Sequence, residues 1–288
     1  MTSRGHALRL RGYAGVYAIV VAACCASLYL AGELSLGRKP WQNLVKTAQE
    51  LARPSLLDIW YGNPRLEYRS EDDRLLRVED QRASETRFLR GLVEAIWTTF
   101  RIATIGSLIA ALAAFPLGLA TARNLALPRP LALAAKLILD VARSIHSLVF
   151  GLLLVGIIGL GATAGILAIA AHSLGTYGKL YAEAIESVER ETFESGIALG
   201  AGRVHTLLFG IWRSVLPRFV SAHLYIWEYN IRDSTVLGLI GAGGLGLLVS
   251  EAVSLFQWGR LSTILIAIVL LVVGFDALSR RIRTDLVR

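Results

Sequence analysis

The stretch that decides the fold reads YAEAIESVERETFESGIALGAGR and covers residues 181–203. It is polar and has apolar positions at helical spacing, yet it lies between two apolar runs that are long enough to enter a membrane. Glycines then interrupt the helical pattern at positions 196, 200 and 202. We therefore predict a helix, a tight turn and a second short helix, all within a polar loop at about 181–217 on one side of a bilayer.

The composition of the whole chain also indicates a membrane protein. Of the 288 residues, 54% are hydrophobic and only 18% are charged, whereas a soluble domain carries about 25% charge. The mean hydropathy is +0.53. The net charge of +8 fits basic residues that flank membrane spans, so membrane lipid rather than nucleic acid is the expected partner. The two cysteines, Cys24 and Cys25, are adjacent in an apolar run and have no distant partner for a disulfide.

Apolar runs of about 20 residues predict about six membrane-spanning helices. The runs lie at residues 14–31, 93–120, 131–158, 162–178, from 217 past 237 into a glycine-rich stretch, and 261–278. Apart from closed barrels, only helices satisfy their backbone hydrogen bonds in lipid. The predicted fold class is therefore all-α, a polytopic membrane protein of about six transmembrane helices.

Arginines near the ends of these runs predict the orientation. Both termini and the loop at 181–217 are expected in the cytoplasm, because the clusters at 4–11, 123–129 and 280–283 then fall on one side. We divide the chain into an N-terminal tail with the first span (1–32), an external amphipathic and partly helical segment (33–90) and a transmembrane domain (91–288). In the external segment, many arginines are nearly balanced by acidic residues.

The loop resembles the cytoplasmic signature of ABC importer permeases. That signature has a Glu-Ala-Ala triplet, a glycine four residues later and Leu-Pro downstream. Here Glu194-Ser195-Gly196 occupies the triplet and Gly200 the glycine. The match is partial, because Trp212-Arg213 stands where Leu-Pro is frequent, and Leu216-Pro217 follows closely. The resemblance implies the type I ABC importer transmembrane-domain fold, and it implies that an ATPase contacts Glu194, Ser195, Gly196, Gly200, Ala201 and Gly202. Charge reversal at Glu194 or bulk at Gly200 is then expected to uncouple ATP hydrolysis from uptake.

A second stretch narrows the resemblance. The sequence IWEYNIRDSTVLG at residues 226–238, followed by GAGGLG at 241–246, is similar to the permease subunits of phosphonate importers and their phosphite and hypophosphite relatives. The similarity runs from about Leu92 to the C-terminus. The chain departs from the pattern at His146, where proline is expected, and at Asp233, where serine is usual. The resemblance implies a small phosphorus oxyanion as the transported solute.

The same resemblance implies a set of partners. A separate ABC ATPase dimer would use ATP and Mg, because this chain has no Walker-type phosphate loop. A periplasmic binding protein would deliver the solute, and a second permease copy or a paralogue would complete the path. The chain itself is then no enzyme and needs no cofactor, and its expected location is the bacterial inner membrane.

Polar residues in the fifth predicted span are candidates for the translocation path. Glu228 and Arg232 are four residues apart, so they face the same side of a helix. They form either a structural ion pair or part of an oxyanion path, and arginine suits the latter because its fork donates two hydrogen bonds. The path candidates are Glu228, Asn230, Arg232, Ser234 and Thr235. Asp140 and Arg143, three residues apart in the third span, are expected to form a buried pair, with a role in the translocation path as the alternative.

The sequence also bears on four other functions. The GxGxxG pattern at 241–246 lies in a membrane region rather than after a strand, so close helix approach or a break in the fifth span is favoured over nucleotide binding. A lipid-modifying membrane enzyme would need a metal set or a nucleophile with its base, and neither spacing is present in the sequence. A secondary transporter would carry inverted repeats, and the sequence shows none. An importer permease for another small solute remains an alternative.

Overall fold

The computed structural model describes residues 3–32, 40–63, 66–69, 75–125, 127–188, 190–198, 200, 202 and 205–287. The chain divides into two compact units, residues 1–49 and 50–288. The first unit contains helix α1 (Ser3–Leu30) and the start of α2 (Pro40–Leu51). Residues Tyr13–Leu30 of α1 are long and apolar enough to cross a membrane. Their side chains are exposed to their surroundings on all sides, as expected for a helix that lipid surrounds.

The second unit is almost entirely helical. A 3-10 turn at Ser55–Leu57 leads to α3 (Asp58–Tyr61), and an antiparallel pair, β1 (Leu66–Arg69) and β2 (Leu75–Glu79), precedes the long helices. These are α4 (Gln81–Thr121), α5 (Arg129–Ser144), α6 (Ser147–Ile158), α7 (Ala162–Glu186), α8 (Arg190–Ala198), α9 (Trp212–Leu237), α10 (Leu245–Ser254) and α11 (Trp258–Val287). The predicted helical class is confirmed, and the hairpin is an element that the sequence pattern did not predict.

The predicted spans fall into two kinds. Straight helices long and apolar enough to cross a membrane lie in Tyr13–Leu30, Gln81–Thr121 and Trp258–Thr284. Two further pairs pass the same test only together, because α5 and α6 meet at a 90° bend and α9 and α10 at a 57° bend. The described part of the chain therefore holds three spans, or up to five if each bent pair is one span.

The predicted fourth span forms part of α7, which is not among the helices that pass this test. The physical reason is its position, because α7 packs against α4, α5, α6 and α9. Small residues allow these close approaches: a Cβ on Gly175 would lie 2.4 Å from the carbonyl oxygen of Leu139, and one on Gly118 would lie 3.0 Å from that of Gly178. Helices rather than lipid surround α7, so it needs less apolar surface.

Glycines break the fifth predicted span, as the sequence indicated. A π-helical turn at Gly238–Ala242 ends α9, and Gly241, Gly243 and Gly244 have φ values of +99°, +89° and +71°. Residues other than glycine rarely adopt this left-handed backbone conformation. The backbone N–H of Leu245 donates to Thr99 Oγ1 on α4 at 2.8 Å. The break is thus held against α4 and starts α10 in a new direction.

Candidate functional site

The polar loop forms the predicted helix, turn and second helical segment. Helix α8 packs against a π-helical turn at Thr206–Ile211. A Cβ built on Gly196 would lie 2.3 Å from Thr206 Cγ2, so α8 and the turn are in direct contact through this glycine. Gly200 has a φ of +84°, which supplies the tight turn between them. The N–H of Thr206 donates to the carbonyl oxygen of Gly202 at 2.8 Å and closes the turn.

Most of the predicted ATPase-contacting residues that the structure describes are exposed. Glu194 and Ser195 on α8 are exposed, as are Gly200 and Gly202, whereas Gly196 is half-buried. Ala201 lies outside the described residues. Two exposed residues of the same loop were not predicted as contacts from the sequence. Phe209 is 76% exposed, and the ring centroid of His205 lies 4.5 Å from that of Phe209. An exposed aromatic pair beside a polar helix was the signal that could have identified them.

Polar contacts tie the base of the loop to the helix bundle. The N–H of Arg123, in the turn after α4, donates to Glu186 Oε1 at the end of α7 at 2.9 Å. Asn124 Nδ2 donates to the carbonyl oxygen of Ile185 at 3.1 Å. Arg218 on α9 donates to the hydroxyl of Ser187. The ends of α4, α7 and α9 are therefore joined where the loop leaves the bundle.

Aromatic rings continue this connection into α9. Trp212, the first residue of α9, meets Phe115 of α4 edge-on at 6.0 Å and Phe219 at 5.7 Å. Phe219 also lies 4.4 Å from Tyr181 of α7. Packed rings resist compression, so a displacement of the loop would move these three helix ends together.

Asn230 joins three helices at a fully buried position. Its Nδ2 donates to Ser107 Oγ on α4 at 2.8 Å, and its Oδ1 accepts from Ser173 Oγ on α7 at 3.0 Å. None of the three side chains is more than 1% exposed. Unpaired polar groups are costly in such surroundings, so this junction fixes α9 against its two neighbours.

Ser234 and Thr235 hold hydrogen bonds to the backbone. Ser234 Oγ is fully buried, 2.8 Å from the carbonyl oxygen of Ile231 and 3.3 Å from that of Thr99 on α4. Thr235 Oγ1 is half-buried and lies 3.4 Å from the same Ile231 oxygen. Of the five predicted path residues, Asn230 and Ser234 therefore bond to neighbouring helices and Thr235 bonds to its own, and their role in a path stays a prediction.

Glu228 and Arg232 form the predicted ion pair, and a third residue joins them. Arg232 donates to Glu228 Oε1 at 2.5 Å. Arg283 near the end of α11 lies 3.7 Å from the other oxygen, Oε2. The Glu228 side chain is only 13% exposed, against 54% for Arg232 and 29% for Arg283. The sequence predicted the first partner by helical spacing, but no local pattern pointed to the second.

The remaining charged groups divide into exposed and buried ones. Asp140 and Arg143 pair at 3.0 Å, as predicted, but both side chains are more than 40% exposed, so the predicted burial is wrong. Asp233 is 6% exposed, and its Oδ2 has no hydrogen-bond partner among the described residues.

Among the described residues, no group of three or more His, Cys, Asp or Glu side chains could hold a metal ion.

A known family matches most of the second unit. The sequence profile described as "Binding-protein-dependent transport system inner membrane component" matches residues 114–287. The chain is 37% identical to the putative phosphite transport system permease protein HtxC of Stutzerimonas stutzeri over 64% of its length and 66% of the relative's. It is 35% identical to the phosphite transport system permease protein PtxC of the same organism, over 67% of this chain and 70% of the relative.

A third relative is named for phosphate import. The phosphate-import permease protein PhnE of Mycolicibacterium smegmatis is 33% identical over 64% of this chain and 35% of its own length. Among solved structures, the MetNI methionine ABC transporter in an inward-facing conformation superposes with a TM-score of 0.63 at 20% identity, over 70% of this chain and 99% of that one. An amino acid ABC transporter gives a TM-score of 0.58 at 17% identity, over 70% and 97% of the two chains. At these identities the likeness concerns the fold.

Proposed function

Because this chain belongs to the family of binding-protein-dependent transport system inner membrane components, we propose that it is the permease subunit of an ATP-driven importer for a small phosphorus oxyanion. The observation that carries the proposal is the similarity to permeases named for phosphite, at 35–37% identity over about two thirds of the chain. Phosphite, hypophosphite and a phosphonate share the tetrahedral, anionic phosphorus centre that arginine recognises through two hydrogen bonds.

Phosphate is the second candidate solute, because one relative is named as a phosphate-import permease. Phosphate, phosphite and phosphonate differ in one substituent on phosphorus. The exposed guanidinium of Arg232 suits the oxygens that all of them share, so it supports the class of solute rather than one member. A lipid-modifying enzyme and a secondary transporter do not fit the family.

The loop supports coupling to a separate ATPase. Its exposed helix α8 is tied through Gly196 to the π-helical turn and then to α9 by Trp212. We propose that an ATPase dimer contacts Glu194, Ser195, Gly196, Gly200, Ala201 and Gly202, and that ATP binding moves the loop. The displacement would pass to α4, α7 and α9 through their joined ends and would open the path to the opposite side. ATP and Mg belong to that partner.

The other expected partners follow from the same role. A periplasmic binding protein would deliver the oxyanion at the outer ends of the spans, and a second copy of this chain or a paralogue would complete the path. The bacterial inner membrane, with both termini in the cytoplasm, is the proposed location, because the basic clusters then lie on the cytoplasmic side. Glu228, Asn230, Arg232, Ser234 and Thr235 remain the proposed path residues, of which Arg232 has the most exposed side chain described above.

The experiment is uptake by cells that carry the gene as their one copy. Cells are starved of phosphorus and given labelled phosphite, hypophosphite, methylphosphonate or phosphate, with and without the gene. Gene-dependent, saturable uptake of at least one anion is expected, and it should be lost when cellular ATP is depleted. Gene-dependent uptake of a neutral or cationic solute, with none of the four anions taken up, would refute the proposal.

A second measurement tests the coupling. The chain is purified from the same cells with an affinity tag in a mild detergent, and ATP hydrolysis by the preparation is measured. Vanadate-sensitive hydrolysis that co-purifies with the wild-type chain and is reduced by charge reversal at Glu194 is expected. Equal hydrolysis and uptake in the Glu194→Lys variant and the wild type would argue against the loop as the ATPase contact.

A further inference from the structure

The two oxygens of Glu228 face arginines on different helices. Arg232, on the same helix α9, donates to Oε1 at 2.5 Å, and Arg283, on α11, lies 3.7 Å from Oε2. The shorter contact joins groups four residues apart, so it forms locally. The longer contact crosses between two helices. A single carboxylate is therefore shared between two cations whose separation depends on how α9 and α11 pack.

Packing near this group holds the two helices together. Trp227, one residue before Glu228, meets Phe275 of α11 edge-on with ring centroids 4.4 Å apart. Phe100 of α4 lies 6.0 Å from the Trp227 ring and 6.3 Å from the Phe275 ring. Arg283 Nε donates to the carbonyl oxygen of Ser279 one turn earlier, at 3.3 Å. The guanidinium of Arg283 is thus directed by its own helix as well as by Glu228.

The burial of the three side chains differs in a way that suggests distinct roles. Arg232 is more than half exposed, whereas Glu228 is nearly buried and Arg283 is intermediate. An incoming oxyanion can therefore reach the guanidinium of Arg232 but competes there with Glu228. A nearly buried carboxylate that loses its only cation is strongly destabilised, so Glu228 would resist release unless another cation is at hand.

We propose that Arg283 is this second cation: it keeps Glu228 paired while Arg232 turns to a phosphorus oxyanion. The inference rests on the proposed function, since it names how the exposed arginine becomes available to the solute. Arg283 is a positioning residue, because it acts through Glu228 and not on the solute. The three groups carry one positive charge in excess, which matches the charge of one monoanion.

The nearby charges fit this division. Arg280, the other described arginine of α11 that has an ion pair nearby, contacts Asp276 of its own helix at 3.0 Å. Its acidic partner is thus Asp276 and not Glu228. Asp233 follows Arg232 directly but is buried, and its Oδ2 has no described partner. Arg283 is thus the one described cation from another helix that pairs with Glu228.

The test is uptake by cells carrying Arg283→Gln, with Arg283→Lys as the conservative variant. Without the second cation, Glu228 holds Arg232 exclusively, so we expect the glutamine variant to take up labelled phosphite at least about tenfold more slowly. The lysine variant keeps the charge and should stay within about threefold of the wild type. Arg280→Gln on the same helix is the matched control, with wild-type uptake expected. Immunoblots of the membrane fraction correct for the amount of protein.

A double variant separates positioning from a structural role. In Glu228→Gln/Arg283→Gln no carboxylate competes for Arg232, so uptake should recover to within about threefold of the Glu228→Gln single variant. A double variant as slow as Arg283→Gln alone would overturn the proposal, and so would a lysine variant as slow as the glutamine variant. If the wild type takes up none of the phosphorus anions, the proposed function fails. Wild-type uptake with an unaffected Arg283→Gln variant overturns this inference alone.

Discussion

Gly196 and Thr206 are packed so closely that a single added carbon on the glycine would overlap the threonine methyl. A Cβ at Gly196 would lie 2.3 Å from Thr206 Cγ2 and 2.8 Å from Thr206 Oγ1. The threonine is buried, and its hydroxyl has no hydrogen-bond partner among the described residues. This contact joins the exposed helix α8 to the turn that leads into α9, so it lies on the proposed route by which an ATPase would move the spans.

The first prediction follows from that contact. Gly196→Ala should push α8 away from the turn, at a cost of about 1–3 kcal/mol for overpacking, and should slow uptake several-fold with an unchanged amount of protein in the membrane. Gly210→Ala is the matched control, since a Cβ there would lie at an ordinary 3.7 Å from the same Thr206 Cγ2. Adding Thr206→Ala to Gly196→Ala removes the methyl and hydroxyl groups and should restore uptake. Persistent loss in this double variant would show that the close contact is not the cause.

Substitutions at Gly200 test the backbone conformation of the turn rather than the space around the added side chain. Its φ is +84° and a Cβ would meet nothing within 4 Å, so alanine is disfavoured only by its left-handed backbone, at about 1–2 kcal/mol. Gly200→Asn should be tolerated better, because asparagine visits this region more readily. We expect uptake to fall in the order glycine, asparagine, alanine. Equal uptake in the asparagine and alanine variants would mean that the turn is not held in this conformation during transport.

The buried junction at Asn230 predicts a loss of stability. Asn230→Ala removes two hydrogen bonds and leaves the hydroxyls of Ser107 and Ser173 without their partner, which should cost about 1–3 kcal/mol. Thermal unfolding of the purified chain in detergent measures this loss. Adding Ser107→Ala and Ser173→Ala to Asn230→Ala removes the unpaired hydroxyls and should cost less than the sum of the separate changes. Strict additivity would contradict a shared network.

An ion pair at the other end of the spans predicts a larger effect. Arg260 on α11 contacts Glu85 of α4 at 2.8 Å, donates to Ser84 Oγ at 3.0 Å and lies over the Phe88 ring. Glu85 is 8% exposed, so Arg260→Ala leaves a buried charge unpaired and should destabilise the fold by about 3–5 kcal/mol.

The control for this change is an ion pair of similar type at the surface. Arg53 pairs with Asp58 at 3.4 Å, and its side chain is 70% exposed. Arg53→Ala should therefore cost no more than about 1 kcal/mol. The two unfolding temperatures, measured in the same detergent, check both values. A similar decrease in both variants would mean that burial does not decide the strength of the Glu85–Arg260 pair.

Local patterns predicted the parts of the fold that depend on local forces. The apolar runs predicted α1, α4 and α11 because lipid selects long apolar helices, and the glycines at 241, 243 and 244 predicted the break after α9. The 90° bend between α5 and α6 was not predicted. There the break is stabilised by His146, which caps α6 through Leu148 N–H, and by His172 of α7, which bonds to the Ile145 carbonyl oxygen.

The candidate site was predictable to the same extent. Helical spacing gave the Glu228–Arg232 pair, whose partners are four residues apart. The contacts of Asn230 with Ser107 and Ser173 connect positions 123 and 57 residues apart, and that of Glu228 with Arg283 also connects distant positions. Such contacts depend on how helices pack, which a single sequence does not encode in any short pattern. Burial is also a tertiary property, so the exposure of Asp140 was predicted wrongly.

Helix α9 contains Pro217 near its start and is followed by the left-handed Gly241. Helices bend at proline and glycine. We therefore expect the segment between Pro217 and Gly241 to move as one rigid body when the loop is displaced. Glu228 and Arg232 both lie on that segment, so the distance between their Cα atoms would stay constant through the proposed transport cycle, even while the Arg232 side chain turns to the oxyanion. Glu228 and Arg283 lie on different helices, so the distance between their Cα atoms would change when α9 shifts against α11, within the reach of the two side chains. This distance between α9 and α11 can therefore report the state of the transporter, and a pair of spectroscopic labels placed on the two helices would measure it.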